Sequence, residues 1–220
     1  MKKTVLYILI GIFFISTNAF PQFGLKLGPL TALNFNIGTG SDLEQTQTGF
    51  GFVFGSQVDM KFTPIIGMIA QLQFYDNMSG GTSTDGTTQN GTAYTLHDDN
   101  SIAYLMIEPL LKVNIPASGF YFVAGPSIGF NIESSATVSV TSANNNVTFQ
   151  DGTKKQTSTL KNMNVRFAIN AGAGYDISAG DLVTITPQFL FGFGITTVQS
   201  DFSSRILNFQ LAAVVKFRLI

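Results

Sequence analysis

The stretch Met163-Asn164-Val165-Arg166-Phe167-Ala168-Ile169-Asn170-Ala171-Gly172-Ala173-Gly174-Tyr175-Asp176-Ile177 decides the fold. From Val165 to Ile177 every second residue is apolar or aromatic, while Asn164, Arg166, Ala168, Asn170, Gly172, Gly174 and Asp176 fall between. A helix would space its apolar residues by three and four. A strict period of two belongs to a strand with one apolar and one polar face. The last run repeats it, with Leu207, Phe209, Leu211, Ala213, Val215, Phe217 and Leu219 set against Asn208, Gln210, Ala212, Val214, Lys216 and Arg218. Gln57, Asp59 and Lys61 likewise alternate with Val58, Met60 and Phe62. The run at 101–115 is mixed, since Ile102, Tyr104, Met106 and Leu110 share the parity of Glu108 and Lys112.

Outward from that stretch, eight alternating segments cover residues 23–37, 49–62, 67–76, 101–115, 120–133, 163–177, 182–198 and 206–219. The gaps after the second, fourth and sixth are tight and carry Thr63-Pro64, Pro116-Ala117-Ser118-Gly119 and Ser178-Ala179-Gly180-Asp181, all turn formers. The gaps after the first, third and fifth are long and polar, and the one after the seventh is short and polar. Short periplasmic turns and longer outside loops give this asymmetry. The expected fold is all-β, an eight-stranded antiparallel up-and-down transmembrane β-barrel with both mature ends on the periplasmic side. Residues 77–100, broken by Gly80-Gly81, Asp85-Gly86 and Asn90-Gly91, predict a mobile loop. Residues 134–162 predict a raised hairpin whose arms are 137–141 and 147–149, around Asn144-Asn145-Asn146.

Composition agrees with membrane burial. Only 11% of the residues are charged, against about 25% in ordinary soluble domains, and mean hydropathy is +0.26. Met1-Lys2-Lys3, the apolar run 5–15 and Ser16-Thr17-Asn18-Ala19 describe a secretory signal at 1–19 cut after Ala19, leaving 20–220 as the barrel domain. That run is shorter than the roughly 20 residues of a spanning helix, and no later one is long enough. The absence of Cys excludes disulfides, thiolate metal sites and a lipid-bearing N-terminal Cys. A formal charge of -1 offers no basic surface for nucleic acid.

The polar face gathers Lys26, Asp59, Lys61, Glu108, Lys112, Arg166, Asp176, Lys216 and Arg218. An eight-stranded barrel has an interior about wide enough for side chains to fill, so these residues predict an interlocked polar lumen rather than a channel. Buried charges must be paired, and Arg166 is the expected bridge to Asp59 or Glu108. Phe23, Phe62, Phe120, Tyr175 and Phe217 predict a periplasmic aromatic girdle, and Phe35, Phe50, Phe74, Phe130 and Phe193 an outer one. The sole histidine, His97, precedes Asp98, Asp99 and Asn100 at the end of the expected loop. A His with a carboxylate and a nearby hydroxyl is the nucleus of nucleophilic catalysis, but no nucleophile elbow accompanies it, and the acidic trio lacks the spacing of a calcium loop. No catalytic, metal or cofactor-binding set is expected. The same alternation also fits a secreted lipocalin-like carrier with its apolar face inward; unlike charges and glycines on one face favour the membrane solution.

Three short patterns carry a resemblance. Phe23-Gly24-Leu25-Lys26-Leu27-Gly28, Tyr121-Phe122-Val123-Ala124-Gly125-Pro126-Ser127-Ile128-Gly129-Phe130 and Ala171-Gly172-Ala173-Gly174-Tyr175 resemble the first, fifth and sixth strands of the outer-membrane β-barrel family of Bacteroidetes-type bacteria, which includes PorT-like proteins. The resemblance implies fold and location, with no catalytic motif to carry over. The terminal Phe217-Arg218-Leu219-Ile220 lacks the last-residue aromatic of many barrel assembly signals, though Phe217 and Leu219 alternate in its place. The expected role is that of a monomeric, non-enzymatic envelope or surface protein, with outer-membrane lipid, the barrel assembly machinery and an unidentified envelope or extracellular partner as contacts. A narrow porin and a lipid-modifying enzyme are the alternatives.

Overall fold

The computed structural model describes residues 23–41, 46–143, 146–200 and 203–219. The expected signal segment and its cleavage point lie outside them. Ten strands follow in order: β1 (Gly24–Thr39), β2 (Gln47–Lys61), β3 (Ile66–Thr87), β4 (Ala93–Asn114), β5 (Phe120–Thr141), β6 (Lys155–Thr159), β7 (Arg166–Tyr175), β8 (Ile177–Ala179), β9 (Val183–Gly194) and β10 (Arg205–Arg218). Each pairs antiparallel with its neighbours, and β10 joins both β9 and β1, so the sheet closes on itself. Closure removes the open edges that a flat sheet would leave. β6 and β7 both pair with β5, and β7 and β8 both pair with β9. These three pieces therefore form one interrupted stave, and the ring has eight.

The pleat sorts the side chains as their alternation requires. Leu33, Leu211 and Ile169 are 66%, 62% and 55% exposed on the outer face, while Asn34, Gln210 and Asn170 beside them are buried within. That facing overturns the lipocalin-like alternative, because its apolar face would have turned inward. The lumen is nonetheless not uniformly polar. Ile69, Leu110, Tyr121, Val123 and Leu190 form one inward apolar cluster, and Met78, Ile102, Tyr104, Met106 and Ile206 another at the end away from the chain termini. Space for these large groups comes from glycines paired with them on the neighbouring strands. A Cβ on Gly174 would strike the Tyr121 ring, and one on Gly129 the Met106 sulfur.

Stave lengths are unequal. β3, β4 and β5 each run 22 residues, against 10 for β7 and 12 for β9. At about 3.3 Å per residue the long strands reach roughly 70 Å, whereas a membrane crossing takes only 9 to 11 residues. Residues 77–100 are accordingly not a mobile loop. β3 and β4 stay paired up to Thr87 and Ala93, leaving only 88–92 as connection. Ladder hydrogen bonds satisfy the backbone that polar composition alone suggested would be free. The raised hairpin at 134–162 exists, but its second arm is β6, paired with Ser135 to Ser139, and not 147–149.

Irregularities in the ladder re-aim side chains. The register slips between Gln73 and Asp76, so Gln71 and Gln73 point inward and, past the slip, Asp76 and Met78 do too. One inserted residue reverses strand parity. At the end with the tight turns, Thr63 Oγ1 accepts from the amides of Ile65 and Ile66 at 3.2 and 2.8 Å, Ala117 turns at φ 57° and Gly180 at φ 82°.

Candidate functional site: the filled lumen and the raised sheet

Near the end holding the tight turns, four charges close the lumen. Lys112 Nζ donates to Asp59 Oδ2 at 2.7 Å and to Asp176 Oδ2 at 3.0 Å; Lys216 Nζ donates to the same Asp59 oxygen at 2.6 Å and to Asp176 Oδ1 at 2.7 Å. β2, β4, β10 and the β7–β8 junction supply one residue each. Two ammonium groups and two carboxylates alternate around this square, so every charge has two opposite neighbours and the set is neutral. Thr186 Oγ1 also donates to Asp176 Oδ1 at 2.7 Å, and the Lys112 ammonium lies 4.1 Å from the Tyr121 ring centroid. Such pairing is what makes buried charge tolerable in a low-dielectric interior.

Above the square lies a layer of amides. Gln71 Nε2 donates to Gln57 and Gln188 at 2.9 and 3.0 Å, Gln73 Nε2 to Gln71 and to Glu108 Oε2 at 3.2 and 3.0 Å, and Asn170 Nδ2 to Glu108 Oε1 at 2.9 Å. Residues of β2, β3, β4, β7 and β9 thus join across the lumen. Asn34 Nδ2 donates to Asp76 Oδ1 at 2.6 Å beside them.

The expected bridge by Arg166 does not form. Asp59 is held by the two lysines and Glu108 by amide donors, and Arg166 has no ion pair among the described residues. Arg166 and Glu108 are buried, as expected, but Lys26 is half-buried, and Lys61 and Arg218 are exposed at the mouth. The pleat reason is plain: Lys61 and Arg218 end their strands, where the lumen opens. Asp76 and the glutamines were missed. Asp76 has the parity of the outer face in an unbroken β3, and its signal was the cost of setting a carboxylate against an apolar surface.

At the opposite end β3, β4, β5 and β6 continue as a four-stranded sheet. Aligned on one face are Ser83, His97, Ser139 and Lys155, with Gly81, Asp99, Thr137 and Thr157 in the next row and Asp85, Thr95 and Thr141 on the other side. His97 is a strand residue, not a loop residue. Its Nδ1 lies 2.8 Å from Ser83 Oγ and its Nε2 3.2 Å from Thr141 Oγ1. Hydroxyls therefore occupy both ring nitrogens, whereas the catalytic arrangement holds one of them with a carboxylate. Successive strand residues point to opposite faces, so Asp98 and Asn100 turn away from His97 and Asp99 and the trio does not converge on one cation.

A model of the outer membrane protein beta-barrel domain matches residues 18–200. The chain belongs to that family. The match includes nine of the ten strands, stopping before β10. No curated protein matches the chain. Among solved structures, Neisserial surface protein A is 10% identical at a TM-score of 0.41, covering 87% of this chain and 96% of its own. CarO2 of Acinetobacter baumannii is 15% identical at 0.38, covering 87% and 99%. The outer membrane protease OmpT of Escherichia coli is 8% identical at 0.34, covering 89% and 95%. These likenesses concern fold only.

The protein is thus an outer-membrane β-barrel of the Gram-negative envelope, and the tight-turn end is its periplasmic end. There Phe23 stacks on Phe62 at 6.4 Å between centroids and Phe120 meets Tyr175 at 4.6 Å, with Phe217 exposed to the same side. Of the outer girdle, Phe35 meets Phe50 at 5.2 Å and Phe74 meets Phe54 at 6.3 Å; Phe130 and Phe193 stand exposed. The aromatics exceed two rings. Phe209 joins Phe189, Phe191 and Phe35 at 6.5, 5.1 and 6.4 Å, making a continuous band over β9, β10 and β1.

Proposed function

We propose that this protein is a monomeric, non-enzymatic outer-membrane anchor that displays its raised sheet to an extracellular partner and conducts no solute. The carrying observation is that the charge square and the amide layer bridge the lumen, while β3, β4 and β5, at 22 residues each, extend well beyond the length a membrane crossing needs and pair with the short β6 above it. Rows of Ser, Thr and Asp side chains on the sheet offer donors and acceptors to a polar partner. Within this reading the chain is a PorT-like barrel of Bacteroidetes-type bacteria, exported by a signal cut after Ala19, inserted by the barrel assembly machinery and contacted by outer-membrane lipid. Planar-bilayer recording of the refolded protein should show no steady conductance. Replacing residues 83–97 with a two-residue turn should abolish surface binding while heat-modifiable gel migration persists. Steady ion flow through the intact protein would replace this reading with the narrow porin.

The Ser83–His97 contact is the observation that favours a lipid-modifying enzyme as a second reading. Lipid A analysis of cells with and without the gene separates the two. An altered acylation or phosphorylation pattern that His97→Gln restores to the deleted state would establish the enzyme.

A further inference from the structure

The periplasmic mouth is a cup of about 540 Å³, lined by Lys26, Asp59, Lys61, Lys112, Asp176 and Arg218 together with apolar rim residues. Its charges do not balance. Lys112 and Lys216 are matched one for one by Asp59 and Asp176, which leaves Lys26, Lys61 and Arg218 as three cations with no ion pair among the described residues. Lys26 Nζ donates to Thr184 Oγ1 at 2.9 Å, a neutral partner.

Strand register concentrates these cations. Arg218 lies directly opposite Lys26 across β10 and β1; Lys26 lies opposite Asp59 on β2, and Lys61 follows Asp59 by two residues on the same face. Like charges directly opposite on neighbouring strands are destabilising. Here a third cation stands diagonal to them, in a concave site whose low-dielectric walls focus the field. Asp59 faces Lys26 and attracts it, but the single charge of Asp59 is already matched within the square, where its Oδ2 accepts from both lysines, so the cup as a whole keeps its cationic excess. What the cup lacks is an anion from outside the protein.

We propose that this periplasmic cup binds a phosphate group. Three uncompensated cations suit the charge of about -1.5 to -2 that a phosphomonoester carries near neutral pH better than the single charge of a carboxylate. The Arg218 guanidinium supplies a planar fork for two of its oxygens, and the lysines supply point charges. The phosphate arrives either free in the periplasm or on a headgroup of the inner leaflet, whose surface adjoins the girdle at Phe23 and Phe62.

The test uses the mature chain refolded in uncharged detergent. Inorganic phosphate is titrated by calorimetry in one arm, and binding to vesicles of phosphatidylcholine with or without phosphatidic acid is measured in the other. Saturable phosphate binding that weakens at least ten-fold in Lys61→Gln/Arg218→Gln, and persists in the extracellular control Lys154→Gln/Lys155→Gln, supports the site with a free ligand. Response to phosphatidic acid alone, lost in the same double variant, supports the site with a headgroup ligand. Absence of saturable binding to both probes, or equal binding by the double variant, overturns the proposal. Lys61→Gln alone, at an exposed strand end, should fold normally and show an intermediate loss; its heat-modifiable migration checks that it does.

Discussion

Lys216→Met isolates what the charge square contributes to folding. Lys216 is fully buried and its ammonium touches Asp59 at 2.6 Å and Asp176 at 2.7 Å. Methionine keeps most of the stem and removes the charge, so packing changes little and the square passes from neutral to a net charge of -1. Breaking a buried pair by removing one partner costs about 3 to 5 kcal/mol. The expected loss is near the low end, about 3 kcal/mol, because Lys112 still reaches both carboxylates at 2.7 and 3.0 Å. Equilibrium urea unfolding in lipid vesicles, followed by gel mobility, reads the difference. Adding Asp176→Asn restores neutrality, with Lys112 left to Asp59, and should recover at least about 1 kcal/mol, a non-additivity typical of residues in one network. A Lys216→Met protein within about 1 kcal/mol of the parent, or a double variant whose losses simply add, would refute the claim that the square acts as a unit.

Ile169, 55% exposed on the outer face, should lose about 2 to 4 kcal/mol of stability when replaced by Arg near mid-membrane, measured by the same unfolding assay. Its inward neighbour Asn170 donates to Glu108 Oε1 at 2.9 Å, so Asn170→Ala should cost about 1 to 3 kcal/mol, and equal tolerance of both changes would contradict the facing. Gly180 sits at φ 82° and Ala117 at φ 57°; Gly180→Ala should destabilise by about 1 kcal/mol and Ala117→Gly should be neutral or stabilising, since a Cβ costs about 1 to 2 kcal/mol in the left-handed region. In the extracellular turn the Thr153 amide and then its hydroxyl hold Asp151 Oδ1 at 2.9 and 2.7 Å, which lowers the Asp151 pKa below 3.8. A depressed folded pKa gives stability that is present above the unfolded value and lost as pH falls through the folded one, so the Thr153 amide resonance should titrate with a midpoint below 3.8, and a midpoint above it would contradict the contact.

The strands were legible because a period of two over 10 or more residues fits no helix; which face points out was legible only from the unlike charges and glycines that share one face, and in the mixed run at 101–115 even that signal was blurred. Loop structure was not legible. The 77–100 stretch has the Gly, Asn, Ser and Thr content of a flexible connection, and Met78 at its start is its one residue in a buried apolar cluster. Order there comes from backbone ladders between β3, β4 and β5, and ladder bonds leave no mark on composition. In the fifth connection, Val147-Thr148-Phe149 has higher strand propensity than Lys155 to Thr159. The second is nevertheless the paired arm. Thr157 and Gln156 stand opposite Thr137 and Val138, a match of position along the stave that propensity does not encode.

The charged lumen was legible as a set but not as a pairing, and the reason lies in geometry. Parity assigns a residue to the inside, yet which residues meet depends on stagger around a tilted ring, where side chains from strands distant in sequence cross the same axis. Lys216 reaches Asp59 over 157 positions and Gln71 reaches Gln188 over 117. Arg166 was the natural bridge only if depth followed the order of segments. It lies instead at the extracellular side of β7, opposite Gly129, beyond the square that satisfies Asp59. The bulge that turns Asp76 inward places a second carboxylate in that upper region beside Tyr104 on the neighbouring strand. The polar groups of the lumen are thus graded by depth, with the neutral square low, the amides and Glu108 between, and Asp76 and Arg166 toward the outside, while apolar clusters pack both beside the square and at the outer end. Buried charge occurs at every depth, but only in the square does cation meet anion among the described residues; higher up, amide side chains do the same work, Gln73 and Asn170 for Glu108 and Asn34 for Asp76.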